Sequence, residues 1–424
     1  ESLFRPGTLG VVSDAIGLLL IAVGSIPLNT KLAHYASLWA LCIIPTVLIA
    51  LPAALSILPA QKTKQTSQGA LSRFGDWAGA FVTHNPRGLL LASACLIAAG
   101  LLAASQVTIG ESEPGSPILY QSHDYNVGSR IINERFPGSE ELYIVAETDE
   151  PGGIKRPDVL AALADFERHM LLDPEVGGAK GIPDLVKQVN RLLHNNDPRW
   201  QQIPKDDMYV GGLLFAYMAS SPIPGALKEF IDPAEQQANL VFYYKDHQGE
   251  TIRRAIHTAR QWIDANEGAV PGLTVRMAGG TIGVTAAMDE AAFQTNQLVL
   301  PLVFALIFAT VMIFYSSLSA GFMMFLAMSF ATTLTYAYMG LAGVGININT
   351  VPVIAVGIGV GIDYSIYMMD RIREQRATSA DLLAAVRGAM ASTGLAISFT
   401  AITLIAGIIM WVFLSDLRFQ ADAA

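Results

Sequence analysis

"GIGVGIDYSIYMMDRIREQ", residues 357–375, places an acid inside an apolar run. The residues before Asp363 are almost all apolar or small, and the next basic residue is Arg371. A carboxylate at mid-membrane costs about 2.5–3.5 kcal/mol on insertion scales, so such acids are rare and face a bundle interior or a cavity. Desolvation penalises the charged form, which lets Asp363 hold a proton and release it on rearrangement. Tyr364 can donate to the acid or stabilise its charge. Tyr367, four residues on, lies on the same helix face as Asp363. Gly357 and Gly361 share another face, and Gly359 lies one turn from Asp363. Such small residues allow helices to approach and leave room beside the carboxylate.

The composition agrees with a membrane setting. Of 424 residues, 52% are hydrophobic and 15% charged. The net charge of −9 hides two unlike parts. Residues 110–296 carry 27 acids and 16 bases, and the remainder 9 acids and 11 bases. An acidic polar domain is therefore joined to a nearly neutral membrane part. No basic stripe marks a nucleic-acid partner. Cys42 and Cys95 both fall in apolar stretches, which excludes a disulfide framework in the polar domain and reads both as buried small hydrophobes.

Seven stretches approach the ~20 apolar residues that a spanning helix needs. They are 8–28, 36–59, 88–108, 297–316, 319–342, 349–370 and 392–414. Lys62, Lys64, Arg73 and Arg87 in one short loop, and Arg371, Arg373, Arg376 and Arg387 in another, place both loops in the cytoplasm. The large polar domain then lies outside. Segment 68–87 has Leu71, Phe74, Trp77, Ala78 and Phe81 at helical spacing. It reads as an amphipathic helix on the inner membrane surface or as a linker helix docked on protein.

In the polar domain, 141–148, 238–245 and 273–279 read as strands, and 157–172 and 250–265 as helices. A Gly279-Gly280 turn leads into helix 281–296, which continues into the fourth span. The order suggests a compact α+β domain. Stretch 200–232 is Pro-rich and apolar, and is expected to be a buried irregular loop rather than a lipid-dipping flap.

Residues 400–417 align weakly with 14–31, setting Thr400 opposite Asp14. Transporters are often built from two such repeats. A repeat would make the chain, which begins with Glu1, a piece of a protein about twice as long. Asp363 lies about seven residues, or ~10 Å, from the inner end of its span. Asp14 and Thr400 lie at a similar depth, so the three are expected to meet between helices, with Ser398 nearby. Two other readings stay open: Ser and Thr in spans often only bond the preceding turn, and Asp14 can snorkel inward or pair with Arg5. Asp370, Arg371 and Arg373 read as boundary charges.

The 357–375 motif resembles the fourth- and tenth-helix signature of the resistance–nodulation–division superfamily. Its Asp-Tyr pair resembles the hydrophobe/amphiphile branch, which includes the mycobacterial membrane protein large family and hopanoid exporters. The spacing of Gly359 and Asp363 also resembles Patched and sterol-sensing proteins. The resemblance implies a helical bundle with an α+β, ferredoxin-like, porter-type periplasmic domain. It reads 1–59 as two helices ending repeat one and 60–87 as a cytoplasmic linker. Residues 88–108 follow as one helix and 109–296 as the porter domain. Residues 297–414 are then four helices of repeat two, and 415–424 the start of an outer loop.

The resemblance also implies proton-driven export of lipid-like or hydrophobic molecules across a bacterial inner membrane. Asp363 and Tyr364 match the second-repeat relay pair, and the first-repeat partner pair is absent from this sequence. Possible relay or packing partners are Gly359, Tyr367, Ser398, Thr400 and Asp14. The energy source is a proton gradient, with no cofactor or metal: His84, His123, His169, His194, His247 and His257 show no metal-ligand spacing, and no phosphate loop is present. The expected partners are a lipid-like substrate, the membrane and the missing N-terminal half. A homo-oligomer and periplasmic or outer-membrane proteins are further candidates. A lipid- or sterol-binding receptor and a protein-translocation accessory subunit remain as alternatives.

Overall fold

The computed structural model describes residues 4–58, 70–378 and 381–423. Lys62, Lys64 and the side chains of Arg5 and Leu71, all used above, lie outside the described residues. Two compact units form, Glu1–Ile109 with Met288–Ala424, and Gly110–Ala287. Among the described residues, seven helices are long and apolar enough to cross a membrane.

Helix α1 (Phe4–Leu20) continues through a 3-10 turn to Val23. Pro27 opens α2 (Pro27–Ile43), where its missing N–H costs nothing. A π-helical stretch, Ile44–Ala50, joins α2 to α3 (Leu51–Ile57). This second span starts at Pro27 rather than 36, because Lys31 and His34 are carried within the helix.

Helix α4 (Ala70–His84) is short and precedes α5 (Pro86–Ala104), which Asn85 caps by accepting from the Gly88 N–H at 3.1 Å. The face of α4 bearing Gly75, Gly79 and Thr83 docks on protein. A Cβ at Gly79 would lie 3.3 Å from Arg387 and Met390, and the Arg387 guanidinium donates to Thr83 Oγ1 at 2.9 Å. The other face stacks Phe74, Trp77 and Phe81, all exposed. An exposed aromatic stripe beside membrane spans suits the bilayer interface. In vesicles carrying bromine-labelled acyl chains, Trp77 emission should therefore be quenched, read as the difference between wild type and Trp77→Phe. Equal quenching of the two proteins would contradict the interfacial placement.

In the second unit, α6 (Asp124–Arg135) precedes β1 (Glu140–Thr148), whose alternate residues Leu142, Ile144 and Ala146 are buried. Next come α7 (Pro157–Met170), β2 (Val176–Lys180), α8 (Ile182–Leu193) and α9 (Asp207–Ser220). Then β3 (Gln237–Tyr244), α10 (Gly249–Ala265) and β4 (Leu273–Gly279) complete the unit. The sheet order is β2-β3-β1-β4, all antiparallel, and α7 and α10 each connect two of its strands. Phe166 of α7 packs edge-on against Phe242 of β3, with ring centroids 5.6 Å apart, and against Trp262 of α10 at 5.0 Å. Such aromatic pairs bind helix to sheet beyond the area they bury.

Stretch 200–232, expected as an irregular loop, holds helix α9 at its centre. Asp206 caps α9 by accepting from the Met208 N–H at 3.0 Å, and the helix buries Val210, Leu213 and Leu214. Met208, Phe215 and Met218 are exposed. The Gly280 turn forms as the sequence suggests. Its φ is +80°, and a Cβ there would lie 2.2 Å from the Glu141 carbonyl oxygen, so a side chain is excluded.

The turn launches α11 (Gly280–Tyr315), 36 residues or about 54 Å long, with Pro301 inside it. Then follow α12 (Leu318–Ala342), α13 (Thr350–Thr378) and α14 (Leu382–Ala389). A π-helical turn, Met390–Gly394, leads into α15 (Leu395–Leu414), and α16 (Arg418–Ala423) occupies the end read as a loop. On α13, Ile358, Ile362 and Ile366 recur one turn apart and are buried with Val303 and Ile307 of α11. Cys42 and Cys95 are exposed, not buried. A lipid-facing helix surface is as apolar as a bundle core, so side-chain polarity alone does not decide between them.

Candidate functional site

Asn347 lies just before helix α13, and its side chain accepts from the N–H groups of Asn349 and Thr350 at 2.9 and 3.0 Å. Further along the helix, Gly359 and Asp363 follow at a four-residue spacing. Helix α1 carries the same spacing in Gly10 and Asp14. The two helices pack so that each acid meets the other helix's glycine. A Cβ on Gly10 would lie 2.1 Å from Asp363 Oδ1, and a Cβ on Gly359 would lie 3.0 Å from Asp14 Oδ1. The reciprocal pairing, 10 with 363 and 14 with 359, requires the helices to run antiparallel. Glycine is needed at Gly10 because the carboxyl fills the space of a side chain.

Oδ1 of Asp14 and Oδ1 of Asp363 are both buried and accept no hydrogen bond. Asp363 is the charge that acts on Asp14. Two like charges close together in a low dielectric repel, and the Oδ1 of each lacks a hydrogen bond that would stabilise it. The arrangement favours a proton, or water, between the acids.

The other candidates divide by face. Tyr367 shares the site: its hydroxyl lies 3.5 Å from where a Gly7 Cβ would sit, and both acids act on it. Tyr364 lies on a different face. It lines a cavity of about 350 Å³ with Met323 and Met324 of α12, Met368 of α13 and Ile397 of α15. Ser398 and Thr400 do not join Asp363. Their hydroxyls donate to the Gly394 and Ala396 carbonyls at 2.8 and 3.0 Å, and Thr400 is exposed. The expected three-way meeting is thus a two-way one, because the Thr400 side chain is exposed and bonds its own helix's preceding turn. Gly357 and Gly361 are exposed, with no atom within 4 Å of a built Cβ, and provide no helix contact. Of the boundary charges, Arg371 donates to Ser392 Oγ at 3.2 Å and pairs with Glu374 at 2.5 Å, and the Arg373 guanidinium lies 4.9 Å from the Tyr315 ring centre.

Gly7, Gly10 and Ser13 were not singled out from the sequence. Ser13 is buried, and its hydroxyl accepts and donates no hydrogen bond. Ser37 of α2 donates to the Ala15 carbonyl at 2.8 Å, holding α2 against α1 at the level of Asp14. The signal available was the repeated Gly-x-x-x-Asp spacing at 10–14 and 359–363.

The fold resembles the cryo-EM structure of the hedgehog release protein Disp from the water bear Hypsibius dujardini, with a TM-score of 0.64 and 11% identity. The match covers 99% of this chain, which spans 56% of the length of that one. No curated protein matches the chain. The MMPL family model matches residues 205–422, from the start of α9 through the Asp363 helix to α16. With that match over half its length, the chain belongs to the MMPL family.

Proposed function

We propose that the protein is part of a proton-driven exporter of hydrophobic or amphipathic, lipid-like molecules in a bacterial inner membrane. The observation that carries this reading is the reciprocal Gly–Asp packing of α1 and α13, which sets each acid against the other helix's glycine with its Oδ1 buried and unbonded. A buried acid pair is suited to taking up and giving up a proton as the helices shift. A neighbour in fold that is named a release protein supports the outward direction.

In this reading the second unit is a ferredoxin-like, porter-type domain in the periplasm, where it passes substrate and meets partner proteins. Its antiparallel β2-β3-β1-β4 sheet and its βαβ…βαβ order, with α8 and α9 inserted between β2 and β3, support that assignment. The cavity beside Tyr364 would receive side chains of an Asp-Tyr pair from the other repeat, and the exposed Thr400 would face that repeat.

The test is flux in proteoliposomes containing the full-length protein, with a fluorescent lipid as substrate. The proposal expects lipid movement only under an imposed proton gradient, abolished by a protonophore. Lipid binding with no gradient-dependent flux would replace it with the receptor reading.

A further inference from the structure

If protons reach Asp363, they must also leave, and the faces of α13 are not equivalent. The Tyr364 face carries Met323, Met324, Met368 and Met369 beside Tyr364 and Ser365, and no carboxylate. The opposite stripe runs Asp363, Tyr367, Asp370, at spacings of four and three residues, so the three share one face. They cover about 10 Å along the helix, ending at its Arg-rich end.

Tyr367 lies within electrostatic reach of both Asp14 and Asp363. One turn further on, Tyr315 at the end of α11 is buried, and its hydroxyl donates to the Ile366 carbonyl at 3.4 Å. The charges that act on Tyr315 are Asp370 and Arg373. Arg373 covers the Tyr315 ring from the exposed side. Arg371 is engaged elsewhere, with Ser392 and Glu374.

We infer that Asp363, Tyr367 and Asp370 form the proton's exit toward the Arg-rich face. The inference rests on the proton-carrying reading of Asp363. In the step, the Asp363 carboxylic acid gives its proton to the Tyr367 oxygen while the Tyr367 hydroxyl proton passes, through water along the shared face, to the Asp370 carboxylate. Tyr367 ends unchanged, Asp363 ends as carboxylate and Asp370 as carboxylic acid. Asp370 then releases the proton to water at the Arg-rich face.

The experiment measures proton flux through the full-length protein in liposomes with an internal pH dye, varying pH on the Arg-rich side. Asp370→Asn should slow flux at least tenfold and remove its dependence on that pH. Asp370→Glu should restore the flux with a displaced pH profile. Tyr367→Phe should slow it severalfold. Wild-type flux and pH profile in Asp370→Asn would overturn the exit route, provided Asp363→Asn has lost flux. Wild-type flux in Asp363→Asn would instead overturn the underlying reading. Should Asp370→Asn fail to fold, Asp370→Glu decides: a displaced profile supports the route and an unchanged one overturns it.

Discussion

Asp363→Asn in the full-length protein is expected to abolish gradient-driven export while the purified variant melts like the wild type. Asn keeps the size and hydrogen-bonding capacity of the acid but cannot titrate. A positioned acid or base contributes about 10²–10⁴-fold to proton transfer, so at least ~100-fold should be lost. The fold should survive, because Asp363 Oδ1 makes no hydrogen bond that Asn would break. Asp14→Asn keeps Asp363, the acid that shares a helix face with Tyr367 and Asp370, and should retain more export than Asp363→Asn. Gly10→Val tests the geometry without touching an acid, since its Cβ would fall 2.1 Å from Asp363 Oδ1. It should displace the carboxyl and depress export in the same assay. Wild-type export by Asp363→Asn would exclude the relay. Loss of folding instead would make Asp363 a packing anchor.

The second large effect concerns stability in the other unit. Glu167 of α7 is 3% exposed and neither of its oxygens has a hydrogen-bond partner. Its Oε1 lies 2.0 Å from where a Gly181 Cβ would be, at the start of α8. Burial pushes its pKa from 4.5 up to about 8, and the nearby Asp184 adds to this while Lys187 opposes it. The folded state therefore keeps a proton that the unfolded state has lost. That stability is fully present below pH 4.5 and is lost as pH rises toward about 8. The loss is about 1.4 kcal/mol per pH unit. Glu167→Gln cannot ionise, so it should raise the melting temperature at pH 8 by roughly 5–10 °C and flatten its pH dependence. Thermal melts of purified protein from pH 5 to 9 check this. Parallel pH curves for the two proteins would contradict it.

The sequence made some of this legible because contrast with the surroundings carries information. Asp363 stands out in an apolar run, and the alternation in β1, β3 and β4 marks one buried face. Helix α9 was hidden because it is apolar on all sides, contains Gly211-Gly212 and ends near Pro222 and Pro224. Strand β2 was hidden because "VGGAK" offers no alternation. Counting residues along a span gives depth but not direction. That is why Asp14 and Thr400 looked alike, although one meets Asp363 and the other is exposed. Direction was encoded in the partner glycines, which are read only by comparing two helices far apart in sequence.

The central claim, that the Asp14–Asp363 pair carries a titratable proton, is tested most directly by infrared difference spectroscopy of the full-length protein in lipid across a pH titration. A carboxylic-acid carbonyl band that appears and disappears reversibly, and is lost in Asp363→Asn but kept in Glu167→Gln, is the predicted result. A wild-type spectrum whose only titrating carboxyl band survives Asp363→Asn would contradict the account.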